Sequence, residues 1–132
     1  MRDTKNCITT LLVTDDPALE SAARDVAKDM GDVLRFVRNS REATGAAFDS
    51  LARETLVIVD VDAGFGSRSM INTIAGLVPV IAVTGKPNSW VNSMRRHRRI
   101  VAEISKPVSL ESLKEAIFRS RGFYESETQF SG

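Results

Sequence analysis

With a single cysteine among its 132 residues, the chain can form neither an internal disulfide nor a cysteine-based zinc site. Cys7 is expected to serve as a small buried hydrophobe near the start of a strand. The lone histidine, His97, lies among arginines and makes no metal site by itself. No apolar run approaches the roughly 20 residues needed to cross a bilayer, and Met1-Arg-Asp-Thr-Lys-Asn is polar with no hydrophobic signal segment after it. A cytoplasmic protein without membrane contact is therefore expected. Nor is there an excess of charge of one sign: 18 basic and 17 acidic side chains leave +1, so bulk charge selects no partner. Repeats and internal linkers are absent too, and the length suits one domain with its own core.

What is present is a regular alternation of strand and helix signals. Ile8 to Val13 form an apolar run relieved only by threonines, which suit strands. It ends at Thr14-Asp-Asp-Pro17, where Asp16 can cap a helix that opens on Pro17 and carries Leu19, Ala22, Ala23, Val26 and Met30 at helical spacing. Gly31 stops that helix. Val33 to Val37 read as a second strand alternating around Arg35, and Asn39 with Glu42 resembles a capping box for a second helix through Leu51. Leu56 to Asp60 is a third strand with no polar alternation, as expected of a strand covered on both faces. A loop from Val61 to Ser67 and a short third helix to about Ala75 follow. Val78 to Val83 is a fourth strand, and Asn88 can cap a fourth helix bearing Trp90, Val91 and Met94 on a narrow apolar face. Ile100 to Ile104 is a fifth strand interrupted by Glu103, and Ser109 caps a fifth helix whose Leu110, Leu113 and Ile117 share one face. Residues 1–121 form the domain in this reading, and residues 122–132 a flexible polar tail.

Strands and helices alternating five times, joined by right-handed crossovers, give an α/β fold: a single flavodoxin-like (βα)5 domain with a doubly wound, parallel, five-stranded sheet of order 2-1-3-4-5. Such a sheet gathers Asp15, Asp16, Asp60, Thr84 and Lys106 at the carboxyl ends of its strands, on one rim. Crowded carboxylates repel one another unless a cation lies among them, and Mg²⁺ suits oxygen ligands while leaving room for a phosphoryl oxygen. Asp60 could then be a nucleophile toward phosphorus, with Lys106 and the Thr84 hydroxyl on the other phosphoryl oxygens.

Taken together, Leu11-Leu-Val-Thr-Asp15-Asp16-Pro17, Val57-Ile-Val-Asp60, Pro79-Val-Ile-Ala-Val-Thr84-Gly85 and Ser105-Lys106-Pro107-Val108 resemble the receiver domains of two-component response regulators over residues 6 to 121. The spacings from acidic pair to acceptor and from threonine to lysine also match. The resemblance implies that Asp60 accepts a phosphoryl group from the phosphohistidine of a histidine kinase or phosphotransfer protein. It further implies that Asp15, Asp16, Asp60 and the backbone carbonyl of Asp62 hold Mg²⁺, that Thr84 and Lys106 bind the phosphoryl group, and that the Lys106–Pro107 bond is cis. Such a domain is a signalling phosphoacceptor, with no enzyme activity beyond its own phosphorylation and dephosphorylation. It signals through its fourth helix, fifth strand and fifth helix to a downstream protein or output domain, or as a homodimer.

Two departures from the family pattern stand out. The interval from Asp60 to Thr84 is several residues short, and Glu103 occupies the position, three before the lysine, where receivers carry a switching aromatic. They favour an alternative, a pseudo-receiver that keeps the fold as an interaction or dimerisation module without phosphorylation. A third reading, a small phosphatase of the haloacid dehalogenase type, rests on Asp60-Val-Asp62 and Thr84. That family needs an acidic pair after its lysine, whereas here the pair, Asp15-Asp16, lies upstream. Lys86 could pair with Asp62 across the site mouth. Arg95, Arg96, Arg98 and Arg99 form a candidate docking surface for an acidic partner; without net basic charge or interleaved aromatics, direct nucleic-acid binding is not expected.

Overall fold

The computed structural model describes residues 9–37, 42, 45, 55–63, 71, 72, 78–86, 89–96 and 100–131, with the side chains of 63, 95 and 121–131 excepted. Five strands, β1 (Thr9–Val13), β2 (Val33–Phe36), β3 (Thr55–Asp60), β4 (Val80–Thr84) and β5 (Ala102–Ser105), form one sheet in the order β2-β1-β3-β4-β5. Every neighbouring pair is parallel. The expected architecture and strand order are therefore present. Three helices are described alongside: α1 (Pro17–Met30), α2 (Ser89–Arg96) and α3 (Leu110–Ser131). Glu42, Gly45, Ile71 and Asn72 are also helical, while the rest of the second and third helices expected from the sequence lies outside the described residues, as does Cys7.

Strand position in the sheet explains the burial pattern. β3 and β4, flanked on both sides, are buried at every residue. Their uninterrupted apolar runs are what two covered faces demand. On one face Leu11, Val13, Val57, Val59, Val80 and Ala82 meet Val91 and Met94 of α2, with Trp90 half-buried beside them. On the other, Leu12, Leu56, Ile58, Ile81 and Val83 meet Leu19, Ala22, Ala23 and Val26 of α1 and Leu113, Ala116 and Ile117 of α3. Each fully buried leucine or isoleucine contributes about 1.5–3 kcal/mol of transfer free energy. β2 differs, because the strand order leaves it an edge: Val33 and Phe36 are exposed, and no simple alternation around Arg35 survives. The Arg24 guanidinium lies over the Phe36 ring, 4.8 Å from its centroid.

The caps expected at α1 are in place. The Asp16 carboxylate accepts from the Ala18 N–H at 2.9 Å, Pro17 opens the helix, and Gly31 closes it in the left-handed region at φ 72°. Ser109 caps α3, its hydroxyl accepting from the Ser112 N–H at 3.1 Å. One expectation for α3 needs correction. Leu110 is exposed rather than on the buried face, because it opens the helix one turn before Leu113, the first residue to meet the sheet. The helical backbone runs on through Gly122 to Ser131. A glycine costs a helix only about 1 kcal/mol, and no proline follows it. Among the described residues no helix is long and apolar enough to cross a membrane.

Candidate functional site

The parallel sheet delivers four strand ends to one edge, and the loops that follow them carry the chemistry. Beyond β1 come Thr14, Asp15 and Asp16; β3 ends on Asp60, followed by a tight 3-10 turn, Val61–Ala63; β4 ends on Thr84, and β5 leads into Lys106. The Lys106–Pro107 peptide bond is cis, as the resemblance implies. A backbone bond from the Lys106 N–H to the Thr84 carbonyl, 2.8 Å, ties the last two loops together.

Asp60 is completely buried. A buried carboxylate needs donors, and three supply them: the Thr14 hydroxyl and the Lys106 ammonium donate to Oδ2 at 2.7 and 3.0 Å, and the Asp62 N–H donates to Oδ1 at 3.1 Å. The ammonium also lies 3.6 Å from Asp16 Oδ2 and 3.7 Å from Asp62 Oδ2. Burial by itself lowers the Lys106 pKa, but the hydrogen bond to Asp60 and the charges of Asp60, Asp62 and Asp16 outweigh it and hold the group above the ordinary lysine value of 10.5.

The structure thus brings Asp16, Asp60, Asp62 and Lys106 together, while Asp15 is exposed beside them. Asp62, expected to lend mainly its backbone, uses its side chain as well. One oxygen accepts from the Gly85 N–H at 2.6 Å, and this together with Lys106 takes the place of the pairing with Lys86. A Cβ at residue 85 would stand only 2.8 Å from that oxygen, so glycine allows the close approach. The Thr84 hydroxyl donates to Glu103 Oε2 at 3.3 Å and makes no hydrogen bond to Asp60 among the described residues. Of the arginine cluster, Arg96 is exposed at the end of α2; the Arg95 side chain, His97, Arg98 and Arg99 lie outside the described residues.

Two residues escaped the sequence reading in these roles. Thr14 donates to Asp60 and accepts from the Asp16 N–H at 2.9 Å, linking acidic pair and acceptor. Its only signal is a hydroxyl directly between a buried strand and two aspartates. Glu103 was visible as a departure from the family pattern, and its partnership with Thr84 was not.

Among the described residues, four aspartates against Lys106 and Lys86 leave the rim with excess negative charge and oxygen ligands, a chemistry suited to Mg²⁺. Among the described residues Asp60 Oδ1 accepts a single backbone N–H, which leaves it accepting capacity. The donor set therefore fits the ion. Among the described residues no group of three or more acidic, histidine or cysteine side chains is arranged to hold a metal ion; the carboxylates of Asp16, Asp60 and Asp62 converge instead on the Lys106 ammonium.

No protein-family model matches the chain, and no curated protein matches it in sequence. Solved structures match throughout. The signal receiver domain of an HD domain-containing protein from Pseudomonas fluorescens Pf-5 superposes with a TM-score of 0.77 at 18% identity, covering 98% of this chain and 97% of that one. The CheY-like response regulator receiver domain protein of Methanospirillum hungatei JF-1 gives 0.72 at 20% identity, over 92% and 98%. A chemotaxis response regulator of Vibrio cholerae gives 0.68 at 17% identity, over 86% and 98%. The chain has the receiver-domain fold. Within that receiver fold Asp60 occupies the end of the central strand and Lys106 the end of the edge strand β5, which is the order of residues on which the sequence resemblance rests.

Proposed function

We propose that the chain is a receiver that accepts a phosphoryl group on Asp60. The observation that carries this reading is a fully buried carboxylate at the end of the central strand, bonded to the one lysine on which two further carboxylates converge. An ionised Asp60 oxygen would attack phosphorus on a histidine kinase or phosphotransfer protein; a P–O bond forms as the P–N bond to histidine breaks, and the imidazole leaves with the bonding electron pair and takes up a proton from solvent. Lys106 and Thr84 would neutralise and bind phosphoryl oxygens, since this chemistry depends mainly on positioning and charge. Mg²⁺, held by Asp15, Asp16, Asp60 and the Asp62 carbonyl, would offset the charge of the incoming group. In this reading the protein works in the cytoplasm and is no enzyme in its own right. The face of α2, β5 and α3 addresses an output partner or a second copy, with Arg95, Arg96, Arg98 and Arg99 meeting acidic groups on that partner.

A specific observation supports the pseudo-receiver reading as the runner-up: Asp60 Oδ2 already has two donors, and the Thr84 hydroxyl is directed to Glu103. One experiment separates the two. Acetyl phosphate with Mg²⁺ should add one phosphoryl group to the wild-type protein and none to Asp60→Asn. Absence of any adduct on a folded wild-type protein, or equal labelling of Asp60→Asn, would reject the phosphoacceptor.

A further inference from the structure

We propose that Glu103 is a positioning residue for Thr84: its carboxylate holds the Thr84 hydroxyl out of the acceptor site, and capture of a phosphoryl group at Asp60 requires that contact to break. The inference rests on the phosphoacceptor reading above. Parallel pairing sets Ala82 opposite Glu103 and Thr84 opposite Ser105. Because side chains alternate along a strand, Thr84 and Glu103 emerge on the same face of the sheet as diagonal neighbours. That face is the one α2 covers, since Val80 and Ala82 pack with Val91 and Met94.

The contact and the proposed role of Thr84 exclude each other. Thr84 is 2% exposed, and its hydroxyl, with one proton to donate, gives it to Glu103 Oε2 at 3.3 Å. A phosphoryl oxygen and a carboxylate are both acceptors, so one proton cannot serve the two. Threonine is β-branched and confined to a few χ1 wells, which makes the exchange a discrete turn of the side chain rather than a graded shift.

Once released, the Glu103 carboxylate has room to move. It lines a cavity of about 230 Å³ together with Thr84, Gly85, Lys86, Asn92 and Ser105. The Glu103 residue also borders a cavity of about 360 Å³ beside Glu115 and Arg119 of α3, on the opposite face of the sheet. In the second cavity Arg119 is already paired with Glu115 at 2.7 Å. Lys86, exposed and in no ion pair among the described residues, makes the first the better destination. Phosphorylation would thus deliver a negative charge toward α2, in place of the buried ring that an aromatic at this position would insert.

The test compares the affinity of the full chain for beryllofluoride with Mg²⁺ in wild type, Glu103→Val, Glu103→Gln and Thr84→Ala, and in the double variant Glu103→Val/Thr84→Ala. Glu103→Val is expected to bind about tenfold tighter than wild type, the factor for one hydrogen bond of ordinary net strength. Glu103→Gln, which keeps an acceptor oxygen, should gain less. In the Thr84→Ala background the valine should add nothing. In ¹³C-methyl threonine spectra of the unliganded protein, the Thr84 resonance of Glu103→Val should move toward its position in ligand-bound wild type. Equal affinity of Glu103→Val and wild type overturns the proposal, and so does a gain that persists with Thr84→Ala, which would report only the loss of a nearby charge. If wild type and Glu103→Val, both folded, bind no beryllofluoride, the phosphoacceptor reading itself fails and takes this inference with it.

Discussion

Replacing Lys106 with methionine keeps most of the length of the side chain and removes the one cation that Asp60 touches among the described residues. The ammonium stands 3.0 Å from Asp60 Oδ2. At that separation two unit charges attract by about 5 kcal/mol at an effective dielectric of about 20, and by about 1 kcal/mol in water. The Asp60 side chain is 0% exposed, so its contact approaches the first figure; Asp16 and Asp62, with side chains 30% and 46% exposed, approach the second. The gross attraction is offset by what the lysine loses in leaving water. Breaking a buried pair by deleting one partner typically costs about 3–5 kcal/mol. Asp60 keeps its bonds from Thr14 and Asp62, and the lysine side chain is 25% exposed, which places the expected loss near the lower end, about 3 kcal/mol. In urea, with a slope of about 1–3 kcal/mol/M, the unfolding midpoint should fall by about 1–3 M. Adding Asp60→Asn to the same chain removes the stranded charge and should recover most of that loss. A Lys106→Met midpoint indistinguishable from wild type, or a double variant less stable than the single, would refute the electrostatic account of this site.

Because the folded-state pKa of Lys106 is raised above the ordinary value of 10.5, its stabilisation is fully present below that pH and disappears as pH rises through the folded value. Unfolding free energy should therefore fall above about pH 10.5 in wild type, and less so in Lys106→Met. Thr14→Val removes one donor to Asp60 and one acceptor for the Asp16 N–H, for an expected loss of about 1–2 kcal/mol by urea unfolding. Gly85→Ala should cost less than about 1 kcal/mol, since the Asp62 carboxylate it crowds is the far end of a flexible side chain. It should nonetheless displace that carboxylate, and Lys106 should then titrate at a lower pH by NMR than in wild type.

The legible part of this protein is what short stretches of chain decide. Asp16, Pro17 and Gly31 bound α1 by local capping, and the unbroken apolar runs of β3 and β4 announced their place inside the sheet. Leu110 was misjudged because helical spacing says which residues share a face, not where along the helix that face meets the sheet. Phe36 was hidden for a related reason, since its exposure follows from β2 lying at an edge. Within the site, the carboxylates and the lysine could be named because buried strands ending in polar residues are rare enough to be noticed. Their partners could not.

By itself the sequence determined the alternation of strands and helices, and with it the gathering of Asp16, Asp60, Thr84 and Lys106 on one rim, because a parallel sheet sends every strand end the same way. Only the tertiary structure decided which groups meet there. Thr14 and Lys106 each reach Asp60 across 46 positions of chain, and Thr84 reaches Glu103 across 19. Such contacts depend on strand register and side-chain rotamer, which no local pattern encodes, and they set whether the Thr84 hydroxyl faces the acceptor or turns away from it.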